Sequence, residues 1–134
     1  MPVLDLMHIN IRLPRERLLE VRDFYRDAIG LLEGARPPFK SEGVWMYAGN
    51  RPLVHLVIGK EDGVADATTC TTLDHVAFGS ADFGAMRSSL DSCGVAYSVR
   101  EVPMLGQRQI FCHDPVGNGV ELLFAYPPEQ PADN

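Results

Sequence analysis

The chain has 134 residues, 46% of them hydrophobic and 8% aromatic, enough apolar material to bury roughly two thirds of the unfolded surface and to exclude a disordered body. A formal net charge of −6, with no basic stripe interleaved with aromatics, excludes nucleic acid as an expected partner. The longest apolar runs, residues 53–58 and 120–126, are too short to cross a bilayer, and the opening residues carry no export pattern, so a cytoplasmic location without membrane association is expected.

The first element is a strand over residues 6–11, rich in apolar residues. Alternation puts Leu6, His8, Asn10 and Arg12 on one face and Met7, Ile9, Ile11 and Leu13 on the other, which a helix must cover. That helix follows: Leu18, Val21, Tyr25 and Ala28 recur at helical spacing, Pro14 opens the segment, and Gly30 stands where a left-handed residue stops it. Its charged residues, including Arg17, Arg22, Arg26, Glu20, Asp23 and Asp27, are those of a solvated face laced with ion pairs. Residues 31–36 supply a second strand and residues 43–48 a third. A turn over 49–52 then leads to a strand over 53–58, whose parity puts Val54, Leu56 and Ile58 on the helix side and His55 on the opposite, concave side. Residues 59–72 read as a polar linker.

The second half repeats the first. Residues 73–78 align with 6–11 so that His75 falls on His8, and Phe83, Met86, Leu90 and Cys93 repeat the helical spacing, with Ser80 or Asp82 as the start and Gly94 as the stop. Strands follow over 95–102, 108–113 and 120–124, with a turn over 114–119, and residues 127–134 form a tail. In this half Phe111 falls on Trp45, Val120 on Val54, Leu122 on Leu56 and Glu121 on His55. The three cysteines, Cys70, Cys93 and Cys112, lack a CxxC and read as reduced, small buried residues.

Taken singly, a strand histidine is most often a core residue satisfied by a carbonyl. Two histidines at equivalent positions, plus a His/Glu pair at another, change that reading. They provide three nitrogen ligands and one carboxylate on the same side of their strands, a set suited to one divalent ion such as Zn²⁺, Fe²⁺, Ni²⁺, Mn²⁺ or Co²⁺. Trp45, Tyr47, Phe111 and Tyr97 are candidates to clamp a flat substrate, while His113 reads as a turn-flanking residue.

The stretch Leu73-Asp74-His75-Val76-Ala77-Phe78, the His8 strand with the later run Arg22 to Leu31, and the ending His113-Asp114-Pro115-Val116-Gly117-Asn118-Gly119-Val120-Glu121-Leu122 resemble the vicinal oxygen chelate superfamily. That superfamily includes glyoxalase I, extradiol dioxygenases, fosfomycin-resistance thiol transferases and bleomycin-resistance proteins. The resemblance spans about residues 4–126. It implies an α+β fold of two tandem βαβββ modules, 4–59 and 72–126, forming a cupped, partly closed mixed sheet with helices outside, all within one domain.

The resemblance further implies metal ligation by His8, His75 and Glu121, with His55 at the place where glyoxalase I has a fourth ligand. The implied activity is that of a glyoxalase I-like lyase or isomerase, acting on a small molecule that chelates the metal through adjacent oxygens while Glu121 or His55 moves a proton. Arg12 matches a residue facing the glutathione carboxylate in glyoxalase I, and Gly59 replaces an asparagine of that enzyme. Asn10 shares the face of Arg12. The same residues also suit an Fe²⁺ extradiol-type dioxygenase with His55 as acid/base, a thiol transferase with Arg108 and Arg12 as anion contacts, or a drug-binding resistance protein. A homodimer is expected by the same resemblance.

Overall fold

The computed structural model describes residues 2–59 and 72–125, so the expected tail and nearly all of the expected linker, including Cys70, lie outside the described residues. The chain divides into two compact units, Met1–Thr69 and Cys70–Asn134. Each has the βαβββ order, which makes the fold α+β with two four-stranded mixed sheets.

In the first unit β1 (Ile9–Leu13) leads into a 3₁₀ turn (Arg15–Arg17), α1 (Leu18–Asp23) and a wider π turn (Phe24–Ala28). Then come β2 (Leu32–Gly34), β3 (Gly43–Ala48) and β4 (Arg51–Ile58), giving the sheet order β1-β4-β3-β2. The parallel β1–β4 pair requires a crossover, and the helical segment supplies it. Leu13, Val21, Tyr25, Ala28, Met46, Val54 and Leu56 form the buried core beneath that segment. Each large apolar side chain enclosed there stabilises by about 1.5–3 kcal/mol.

Three expectations are corrected here. β1 begins three residues later than expected, because pairing with β4 starts at Ile9 opposite Val54, and Leu6 and Met7 stay exposed with no strand beside them. The continuous helix to Ala28 is instead three kinds of turn in succession. Its closing bond from Ile29 N to Phe24 O (3.1 Å) spans five residues, widening the turn so that Phe24, Tyr25, Ala28 and Ile29 are all buried. The four-residue turn is only Gly49–Asn50, with Gly49 at φ +58° and Ala48 paired to Arg51. Pro52 fits in β4 because it stands at an irregularity in the β3 register, short of the stretch that β1 pairs.

In the second unit β5 (His75–Ser80) is followed by α2 (Phe83–Ser92), β6 (Ser98–Val102), β7 (Gln107–His113) and β8 (Gly119–Ala125), in the order β5-β8-β7-β6. Asp82 caps α2, its carboxylate accepting from Ala85 N at 3.0 Å, and Gly94 at φ +69° ends it. Leu90, Ile110, Cys112, Val120, Leu122 and Phe124 are the core. Burial first, then Asp114, pushes the Cys112 thiol up to about 11. Cys93, expected inside, is exposed just beyond the end of α2. The expected ion pairs of the first helix are present, including Arg17–Glu20, Arg22–Asp23 and Arg26–Asp27. Among the described residues no helix is long and apolar enough to cross a membrane.

Candidate metal and substrate site

The face of the first sheet opposite the helix carries a row of rings. His55 lies opposite Asn10 on β1 and opposite Trp45 on β3. Its imidazole is stacked on Trp45 at 4.0 Å between centroids and on His8 at 3.9 Å, with interplanar angles of 10° and 12°. Neighbouring strands run about 4.8 Å apart, so rings meeting face to face across them stand on edge and turn their rims away from the sheet. His55 is only 8% exposed, whereas His8, Asn10 and Arg12 are all exposed.

The second nitrogen of His55 is occupied: Nε2 lies 3.1 Å from the Pro52 carbonyl. A carbonyl only accepts, so Nε2 carries the proton. Burial, then the neighbouring His8, holds the His55 pKa below the ordinary histidine value, and the Pro52 carbonyl opposes that shift. His55 is therefore neutral near pH 7.

The second unit places a different pair at the equivalent positions. His75 Nδ1 is 2.8 Å from Asp74 Oδ2, and His75 Nε2 is 3.8 Å from Glu121 Oε1. Phe111 approaches the His75 ring edge-on at 5.6 Å. Asp74 lies just before β5 begins, free of strand alternation, and reaches the adjacent histidine. A carboxylate accepts, so His75 donates from Nδ1, and Nε2 is the ring nitrogen turned toward Glu121, itself 7% exposed. A ring nitrogen and a carboxylate oxygen thus face one another across a gap too long for a hydrogen bond, a pair of donor atoms that one cation could bridge. Two ligands about 2.1 Å from a tetrahedral ion stand about 3.4 Å apart, so the 3.8 Å separation fits a shared metal after a small closure.

Gly119 makes this pair possible. It is the β8 residue paired with His75, and a Cβ on it would lie 2.3 Å from Asp74 O and 2.8 Å from His75 Cβ. On its other side Gly119 pairs with His113, the last residue of β7, which flanks the turn as expected and lies on the face of Phe111 and Glu121. Among the described residues no group of three or more His, Cys, Asp or Glu side chains is gathered to hold a metal. The candidate ligands are found as two pairs, one in each unit.

The substrate-binding candidates separate on the same grounds. Arg12 is exposed on the face of His8 and Asn10, with no ion-pair partner among the described residues. Tyr47 lays its ring over Gly34, and its hydroxyl donates to the Ala35 carbonyl. Trp45 gives one face to His55, and Phe39 lies tilted beside it at 6.1 Å, so the indole is not an open platform for a flat molecule. Arg108 is a correction: it pairs with Phe124 in the register of Ile110 and Cys112, facing the helix side and opposite to Glu121. There its guanidinium sits 4.1 Å over the Phe83 ring and 3.5 Å from Glu101, which removes it as an anion contact beside Glu121.

No protein-family model matches the sequence, and no curated protein matches it. Solved structures do match in fold. A glyoxalase family protein from Bacillus anthracis is 24% identical with a TM-score of 0.69, covering 92% of this chain and 97% of that one. A lactoylglutathione lyase from Agrobacterium tumefaciens is 21% identical with a TM-score of 0.65, covering 92% and 96%. An antibiotic binding protein from a Streptomyces species is 18% identical with a TM-score of 0.66, covering 94% and 99%.

Proposed function

We propose that this chain, which has the glyoxalase-like fold of the vicinal oxygen chelate superfamily, is a metal-dependent enzyme of glyoxalase I-like lyase or isomerase type. Its substrate is a small molecule with two adjacent oxygens, and its metal ligands are His8, His75 and Glu121. The observation that carries this reading is the His75–Glu121 pair, an exposed imidazole and a buried carboxylate held 3.8 Å apart with Asp74 engaging the other ring nitrogen. When bound, a divalent ion supplies Lewis-acid polarisation of the substrate oxygens. Glu121, shielded from water, is the carboxylate placed to take and return a proton. Arg12, exposed on the His8 face, supports an anionic group on the substrate.

The test is metal analysis of protein purified without chelators, followed by assays of apo-protein reloaded with Zn²⁺, Ni²⁺ or Fe²⁺ under air and under nitrogen. The substrates are α-ketoaldehyde thiol adducts and catechols. One ion per chain is expected, with occupancy falling sharply in His8→Ala, His75→Ala and Glu121→Ala and about tenfold in affinity in Asp74→Asn. Turnover is expected to persist without oxygen. Oxygen uptake matching catechol loss would replace this reading with an Fe²⁺ dioxygenase, and full metal content in all three alanine variants would refute the ligand set.

A further inference from the structure

We propose that His55 is a positioning residue, the middle ring of a stack that fixes the His8 imidazole, and is not itself a metal ligand. The inference rests on the metal reading above and concerns how one of its ligands is held. The repeat makes the comparison internal. His8 and His75 are equivalent, but only His75 has a carboxylate to orient it, Asp74 at 2.8 Å. The residue at the place of Asp74 in the first half is Met7, and among the described residues no hydrogen bond restrains the His8 ring.

The first half holds its histidine by another means. Where the second half has Glu121 and Phe111, the first has His55 and Trp45, and these two rings continue in parallel onto His8 at 4.0 Å and 3.9 Å. His55 has both faces covered, one nitrogen engaged by Pro52, and 8% exposure. Those are the properties of a support, whereas the exposed His8 has those of a ligand.

The experiment compares Zn²⁺ affinity, by competition with a chromophoric chelator, in the native chain and in His55→Phe, His55→Ala and His8→Ala. Phenylalanine keeps the ring and removes both nitrogens. His55→Phe is therefore expected to stay within a few-fold of native affinity, His55→Ala to weaken it by about tenfold, and His8→Ala to abolish it. A loss in His55→Phe as large as that in His8→Ala would overturn the proposal. If the native chain binds no ion, the metal reading fails on its own, and the stack is judged on metal-free protein by NMR. There the His55 ring protons should be shifted upfield and relax toward ordinary values in Trp45→Leu, and the His8 ring should lose order in His55→Ala and regain it in His55→Phe. A His8 ring unchanged across those variants would refute the support.

Discussion

Replacing Gly119 by alanine should loosen both the second sheet and the His75–Glu121 pair. Its φ is not among the positive values, so alanine meets no backbone penalty, and the cost is steric. The new methyl would lie 2.3 Å from Asp74 O and 2.8 Å from His75 Cβ. Restoring ordinary contact near 3.4 Å requires the Asp74 backbone to move by about 1 Å, and overpacking of this kind costs about 1–3 kcal/mol. Lower entropy of the unfolded chain returns about 0.4–1 kcal/mol. The net expectation is a loss of roughly 1–2 kcal/mol in urea unfolding and a thermal midpoint lower by about 2–6 °C. Because the shifted atoms are those that orient His75, metal affinity should fall by about tenfold or more. Gly79→Ala is the control: it lies on β5, nothing stands within 4 Å of its added methyl, and it should be neutral or stabilising by up to about 1 kcal/mol. A Gly119→Ala chain as stable as the native one, with unchanged metal affinity, would refute the reasoning.

Two further outcomes follow from the structure. The unfolded Cys112 thiol ionises near the ordinary value of 9.0 and the folded one at about 11, so stability is retained below pH 9 and declines between those values, by at most about 2–3 kcal/mol. Urea titrations at pH 8 and 10.5 compared with Cys112→Ala read this directly, and an identical decline in the variant would refute it. We also propose a homodimer: the repeat-equivalent Leu6 and Leu73 are 72% and 71% exposed, apolar surface that a second copy would cover. Light scattering should give twice the chain mass, and a monomer at micromolar concentration would refute the pairing.

Much of this arrangement is legible in the sequence because strand alternation and the internal repeat constrain the same residues. Gly30 and Gly94 both take positive φ at the ends of their helical segments, β3 has its expected bounds, and His55 and Glu121 lie opposite the helix-facing Val54, Leu56, Val120 and Leu122. What was missed has identifiable causes. Apolar residues at the start of β1 were read as strand, but apolarity does not reveal whether a neighbouring strand is present to pair with. The widened turn after α1 leaves the apolar spacing of a helix unchanged and so has no mark in the sequence. Arg108 could have been placed, since it shares parity with Ile110 and Cys112, and an arginine stem covers an apolar face readily. Asp74 escaped because alternation sends adjacent side chains apart, a rule that lapses one residue before the strand begins.

Trp45 is the sole tryptophan of the chain, and its indole rests 4.0 Å from the His55 ring, one ring away from His8. Indole emission from the native chain therefore originates at a single place beside the proposed ligand, with no second fluorophore of its kind to dilute it. The protein carries its own optical probe, and metal loading, ligand capture or a change in the His8 ring can be followed in solution without a label.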